Sequence, residues 1–335
     1  MDGRLSEMIE AMSHLPPEVA PSKYWVELNR RNLDQLERDG YGNFKRTLAR
    51  NYFTWLPGLN DPQIRFLVRS LPFAKVVASF AKAAFSRRQE GLAWTRSVGY
   101  SFLTLMLWDY ASRREQGRIL DVLSEPIEGN PPSVYQGEKL VSQDLANSSL
   151  EFMSMMNHGL DQTSIQTIIE LGAGYGRTAF VFLRLLPSIR YWIVDIPPAL
   201  YVAERYLSSQ FGDRVIFRFR TFDDFSEIER ELTSASIAFF LPSQLRLLPP
   251  KCGDLFVNIS SLHEMRPEQI SYYLGQIDRL TTRYCYLKQW KVSRIPLEEI
   301  VVREGDYPIP GGWSQVYWRE CKVQTEFFEA LFELR

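Results

Sequence analysis

Glu170, Asp195, His263 and Glu264 are the side chains whose types and positions could do chemistry. Glu170 sits in the apolar stretch "TIIEL", and "GAGYG" follows with glycines at 172, 174 and 176 before a helix-like run. Glycines there let the backbone turn tightly and lie against a ligand. Asp195 ends the next apolar stretch, "YWIVD", 21 residues after Gly174. An acid at that place can accept hydrogen bonds from both hydroxyls of a ribose. His263 and Glu264 follow "DLFVNISSL". An imidazole titrates near neutral pH and can take the proton of an acceptor hydroxyl. Glu264 can orient the imidazole or the acceptor.

Three ligands compete for the glycine loop. A phosphate-cradling P-loop needs G-x-x-x-x-G-K-[ST], and no lysine is present. A dinucleotide fingerprint needs a third glycine at 177, where the chain has Arg177. The Glu170 carboxylate would also repel a pyrophosphate. The same carboxylate attracts a cation. S-adenosylmethionine carries an ammonium and a sulfonium and no phosphate. The spacing therefore points to that cofactor, with Gly172, Ala173 and Gly174 against it and Asp195 and Ile196 at its ribose. For adenine, "FFLPSQL" offers Leu241, Pro242 and Gln244, and "RFRTFDDF" offers Asp223; the former leads directly into the fourth strand and is preferred. Asn258 and Ser261 are placed to meet cofactor or substrate.

These residues need a frame. From residue 165 onward, strand-like and helix-like stretches alternate, which predicts a mostly parallel sheet with helices on both faces, a Rossmann-like α/β architecture. "WSQVYWREC" and "TEFFEALFEL" add strands at the C-terminal end, an antiparallel edge. Residues 1–140 read as a helical N-terminal domain, a substrate lid or a dimerisation unit, and 141–335 as the cofactor-binding domain. Helices are expected after Ser22 with a stop at Gly40, over 61–85 with a kink at Pro72, and over 91–114. The Pro- and Gly-rich 125–137 reads as a linker, and 141–159 as a helix capped by Ser142 or Asp144.

Composition narrows the classes. With 335 residues and a prior of about 150 per domain, roughly two domains are expected. A net charge of -1 argues against nucleic acid, and the basic clusters at 44–53, 86–88 and 112–114 read first as solvated helix faces. Three scattered cysteines and no apolar leader fit a reducing cytoplasm. The apolar run 100–110 is too short to span a bilayer. Three histidines make a His-rich metal site improbable; no carboxylate cluster announces a divalent metal, although Mg²⁺ assisting the acceptor stays open.

The first loop resembles the opening motif of the class I S-adenosylmethionine-dependent methyltransferases, and "LHEM" (262–265) resembles the "LH-D-W" motif of caffeate-type O-methyltransferases, with Met265 in place of Trp. There the matching histidine is the general base, a role the resemblance gives to His263. "GEKLVSQDLANSSLEF", "ELGAGYGR", "FFLPSQLRLLP", "NISSLHEM" and "DYPIPGGWSQVYWREC" together resemble the sugar O-methyltransferase family of bacterial glycan and natural-product clusters. That resemblance implies an acceptor that is a glycan or other small molecule, S-adenosylhomocysteine as the product, and cofactor contacts from Ser142, Gln143 and Asp144. Tyr307, Trp313 and Tyr317 could wall a sugar face. Two other readings stay open: a nitrogen or carbon acceptor, and a non-catalytic subunit binding a partner through its helical half, which could equally form a homodimer.

Overall fold

The computed structural model describes residues 2–13, 15–16, 19–47, 62–86, 94–115, 118–158, 160, 162–295 and 297–334. His14, most of the basic stretch 44–53, Arg87, Arg88, the Asp61 cap and the start of the 91–114 helix lie outside them. The N-terminal part holds α1 (Gly3–Met12), α2 (Lys23–Asp39), α3 (Pro62–Ser70), α4 (Phe73–Phe85) and α5 (Trp94–Arg114). Ser22 caps α2 through its hydroxyl, and Gly40 ends it in a conformation with φ 73°. Pro72 divides α3 from α4, because it lacks the donor that would continue the helix. The stretch expected as a linker contains β1 (Val134–Gln136), which forms a hairpin with β2 (Lys139–Val141). Ser142, with its Oγ on the Leu145 N–H, starts α6 (Gln143–Met156).

The main sheet follows. It contains β3 (Thr167–Leu171), β4 (Arg190–Val194), β5 (Ile216–Phe217), β6 (Ile237–Phe240), β7 (Gly253–Ile259), β8 (Thr281–Trp290), β11 (Trp313–Glu320) and β12 (Phe327–Leu334). A small hairpin, β9 (Val292–Ile295) with β10 (Ile300–Arg303), lies outside it. Helices α7 (Arg177–Leu185), α8 (Ala199–Gln210), α9 (Glu229–Ser234) and α10 (Pro267–Leu280) connect the strands. The order is β11-β12-β8-β7-β3-β4-β6-β5. From β8 to β5 all pairings are parallel; β12 and β11 are antiparallel, so the expected edge strand is a pair. The third core position, beside β4, belongs to β6, while the "VIFRFRTF" stretch contributes only the two-residue edge strand β5.

Strand alternation builds two cores. Ile168, Tyr191 and Ile193 face one layer with α6, α7 and α8; Ile169, Trp192 and Val194 face the other with α10. The first layer also takes Leu5, Met8, Leu67 and Leu103 from the N-terminal helices, so these share one core with the sheet. The chain leaves β3 toward β4 and returns later to β7 on its other side. Such a reversal opens a crevice at the carboxyl ends of the strands, where ligands bind.

Candidate active site

The crevice begins where β3 ends. Gly172 has φ 76° and Gly174 φ 58°. A Cβ on Gly172 would stand 2.4 Å from the Ser261 side chain, so the close approach of the β3 and β7 loops requires glycine there. The Gly174 N–H donates to Asp195 Oδ2 at 2.7 Å, and the Ile196 N–H donates to Oδ1 at 2.7 Å. Each oxygen keeps a further lone pair for a ligand donor. Burial pushes the Asp195 carboxyl up to about 7, against the pull of its two backbone donors and with Glu264 adding repulsion.

Gly172, Gly174, Asp195, Ile196, Pro242 and Ser261 line one pocket. Glu264, Met265, Gln269 and Tyr273 close it on the α10 side, and Val19, Ser22 and Trp25 cover it from the entry to α2. The cover is fastened: Gln269 Nε2 donates to the Ala20 carbonyl at 2.8 Å, and the Lys23 N–H donates to Glu298 at 2.8 Å.

Behind the pocket, a chain of side-chain amides fixes the β7 loop. Asn258 Nδ2 donates to the Leu171 carbonyl at 2.8 Å and to Ser261 Oγ at 2.7 Å. Gln289 Nε2 donates to Asn258 Oδ1 at 2.6 Å. Gln289 Oε1 lies 3.0 Å from His263 Nδ1 and accepts from the His263 N–H at 3.2 Å. A carbonyl oxygen only accepts, so Nδ1 carries a hydrogen, and in the neutral ring Nε2 is the nitrogen with the lone pair. Nε2 lies 3.6 Å from Glu264 Oε1. His263 is buried, with its ring stacked on Trp290 at 5.4 Å; Glu264 is the member of the pair on the pocket wall.

The other anticipated residues lie apart from this wall. Glu170 points to the opposite face of β3, where it accepts from the Tyr191 hydroxyl at 2.9 Å; burial pushes its carboxyl up to about 7. Ser142 caps α6 and donates to Glu125. Asp144 accepts from the Tyr175 hydroxyl at 2.8 Å, and burial raises it to about 6. Gln143 is buried with its Nε2 unpartnered. Ser142, Gln143, Asp144 and Tyr175 border a small separate cavity. Ala173 and Leu241 are buried. Gln244 is engaged at both ends, accepting from the Leu241 N–H at 2.9 Å and donating to the Arg220 carbonyl at 2.8 Å. Asp223 is exposed on the loop after β5. The three aromatics do not form one wall. Trp313 donates to Asp278 and packs on Phe332, while Tyr317 packs on His158 on the other face, because a bulge between Gln315 and Tyr317 shifts the alternation.

Trp25, Gln269, Tyr273 and Gln289 were not singled out from the sequence. Gln289 carries a readable signal: a polar residue at the end of a buried strand, next to Lys288. Among the described residues, no group of three or more His, Cys, Asp or Glu could hold a metal ion, and no helix is long and apolar enough to cross a membrane.

No protein-family profile and no curated protein matches the chain. Solved structures do. An S-adenosylmethionine-dependent methyltransferase from Clostridium acetobutylicum aligns at 12% identity over 56% of this chain and 90% of that one, with a TM-score of 0.41. Magnesium protoporphyrin IX methyltransferase from Synechocystis, solved with S-adenosylmethionine, aligns at 13% identity over 58% and 83%, with a TM-score of 0.40. The 1,6-didemethyltoxoflavin-N1-methyltransferase of Burkholderia thailandensis, solved with its substrate and S-adenosylhomocysteine, aligns at 12% over 57% and 78%, with a TM-score of 0.37. Likenesses at this level say nothing about what this chain acts on.

Proposed function

We propose that the chain is an S-adenosylmethionine-dependent methyltransferase that methylates a hydroxyl of a sugar or glycosylated small molecule. The observation that carries the cofactor reading is the Asp195 carboxylate on the pocket wall, each oxygen anchored by one backbone N–H and free to accept a ribose hydroxyl. Gly172 and Gly174 would hold the methionine portion and Pro242 the adenine, under the cover that Val19, Ser22 and Trp25 form over the pocket. Bound there, the cofactor supplies an electrophilic methyl group.

The chain's own part is positioning and proton removal. Glu264, on the pocket wall, would take the acceptor's hydroxyl proton, whereas His263, the residue expected as the base, is buried behind it with Nε2 3.6 Å from Glu264 and Nδ1 against Gln289. Glu170, Ser142 and Gln143, expected at the cofactor, lie off this pocket: Glu170 bonds Tyr191, and Ser142 and Gln143 border the separate small cavity beside Tyr175. The test is incubation with isotopically labelled S-adenosylmethionine and a panel of glycosides. Mass spectrometry should find one labelled methyl on an oxygen; label on nitrogen alone, or none across alcohols and amines, contradicts the acceptor assignment.

A further inference from the structure

A second cavity, of about 340 Å³, lies on the α6 side of the sheet. Lys288 and Gln289 are neighbours on β8 and face opposite sides, Gln289 toward His263 and Lys288 toward α6, so the two pockets are back to back. The cavity wall carries four cations, Arg114, Lys288, Arg319 and Lys322, against two acids, Glu151 and Glu329. Both acids are committed. Glu151 accepts from Lys288 at 2.7 Å and from Arg177 at 2.8 Å. Glu329 holds Arg319 at 2.8 Å and also accepts from Tyr286 and Ser154.

Among the described residues the remaining positive charge meets no acid: Arg114 donates to the Tyr110 hydroxyl at 3.1 Å, and Lys322 makes no ion pair or hydrogen bond. His158 adds no charge: its Nε2 accepts from Arg319 at 2.7 Å, so its Nδ1 hydrogen goes to the Ser154 carbonyl. Asn147, 9% exposed and also on this wall, makes no side-chain hydrogen bond among the described residues. Its amide opens onto the cavity and can donate to and accept from a ligand.

We propose that this cavity binds a small-molecule oxyanion, a phosphate ester or a carboxylate, carried on a polyhydroxylated body. Arg114 and Lys322 meet the anion, and Asn147 and the Gln324 Nε2 meet the hydroxyls. The proposal does not rest on the methyl-donor reading, because none of these residues touches the Asp195 pocket.

The test is calorimetric titration of the whole chain at low ionic strength with orthophosphate, glucose 6-phosphate, glucuronate and glucose. The anions should bind and glucose should not. The double variant Arg114→Glu, Lys322→Glu changes two exposed side chains, so its circular dichroism should match the parent while anion affinity falls by roughly tenfold or more. Tighter binding of glucose 6-phosphate identifies an ester, and tighter glucuronate a carboxylate. No anion heat at about 10 mM, equal binding of glucose, or unchanged affinity in the double variant overturns the proposal.

Discussion

At the scale of the residue, Asp195 carries most of the argument, and its environment makes a signed prediction. An unfolded aspartate titrates near about 3.9, whereas the folded group is pushed up to about 7. Between those values the folded chain holds a proton that the unfolded chain has released. Asp195 therefore stabilises the ligand-free fold at the acid end, and that contribution is lost as pH rises through the window. Ligand binding runs the other way, because only the ionised carboxylate accepts from both ribose hydroxyls. S-adenosylhomocysteine should bind more tightly at pH 8 than at pH 6, and calorimetry on Asp195→Asn should find that dependence flattened. The Glu264–His263 pair makes a second prediction. Glu264→Gln should lower kcat by roughly 10²–10⁴-fold with KM little changed, since a proton acceptor acts in the transition state. His263→Ala should lower kcat in the same direction; nearly full activity in both variants would mean an acceptor, such as an amine, that needs no base.

At the scale of the element, the glycine loop and the β7 loop fit only because Gly172 has no side chain. Gly172→Ala would need φ 76° and would drive a methyl into Ser261. It should destabilise the fold by about 1–3 kcal/mol, read as a lower urea midpoint, and weaken S-adenosylhomocysteine binding in parallel. A Gly172→Ala protein with unchanged midpoint and affinity would show that the loops do not pack this way. The parallel sheet was legible in the sequence because β3 and β4 are short apolar runs with an acid at or just past the end, each followed by a helix, and Ser22 and Gly40 marked α2 by local hydrogen bonding. Other features were hidden because they depend on distant parts of the chain. The direction of Glu170 is fixed by Tyr191, 21 residues away, and the cover over the pocket by Gln269, 249 residues from Ala20. Nothing local marks Trp25 as a wall of that pocket, since at helical spacing it reads as core. The hairpins β1–β2 and β9–β10 are strands of three or four residues, too short for alternation to register.

At the scale of the whole molecule, one apolar core joins Leu5, Met8 and Leu103 to Ile168 and Tyr191, and polar contacts reinforce the junction. Arg4 reaches the buried Glu204 at 2.9 Å, and Glu125, paired with Lys45 in the N-terminal part, accepts from the Ser142 hydroxyl at the start of the sheet domain. Residues 141–335 expressed alone would expose that core and leave Glu204, among the described residues, only the longer ion pair with Arg218, at 3.6 Å. They should lack the cooperative urea transition of the full chain; a truncated chain with a sharp native-like transition would make the two parts independent. The central claim is that the Asp195 pocket holds S-adenosylmethionine, and the most direct measurement is calorimetric titration of the full chain with S-adenosylhomocysteine beside Asp195→Ala. One site per chain with a dissociation constant of about 1–100 µM is expected, weakened by roughly 10²- to 10⁴-fold in Asp195→Ala by the loss of two charge-assisted hydrogen bonds of about 1.5–3 kcal/mol each. No binding by the parent chain at about 1 mM, or equal affinity in Asp195→Ala, would contradict it.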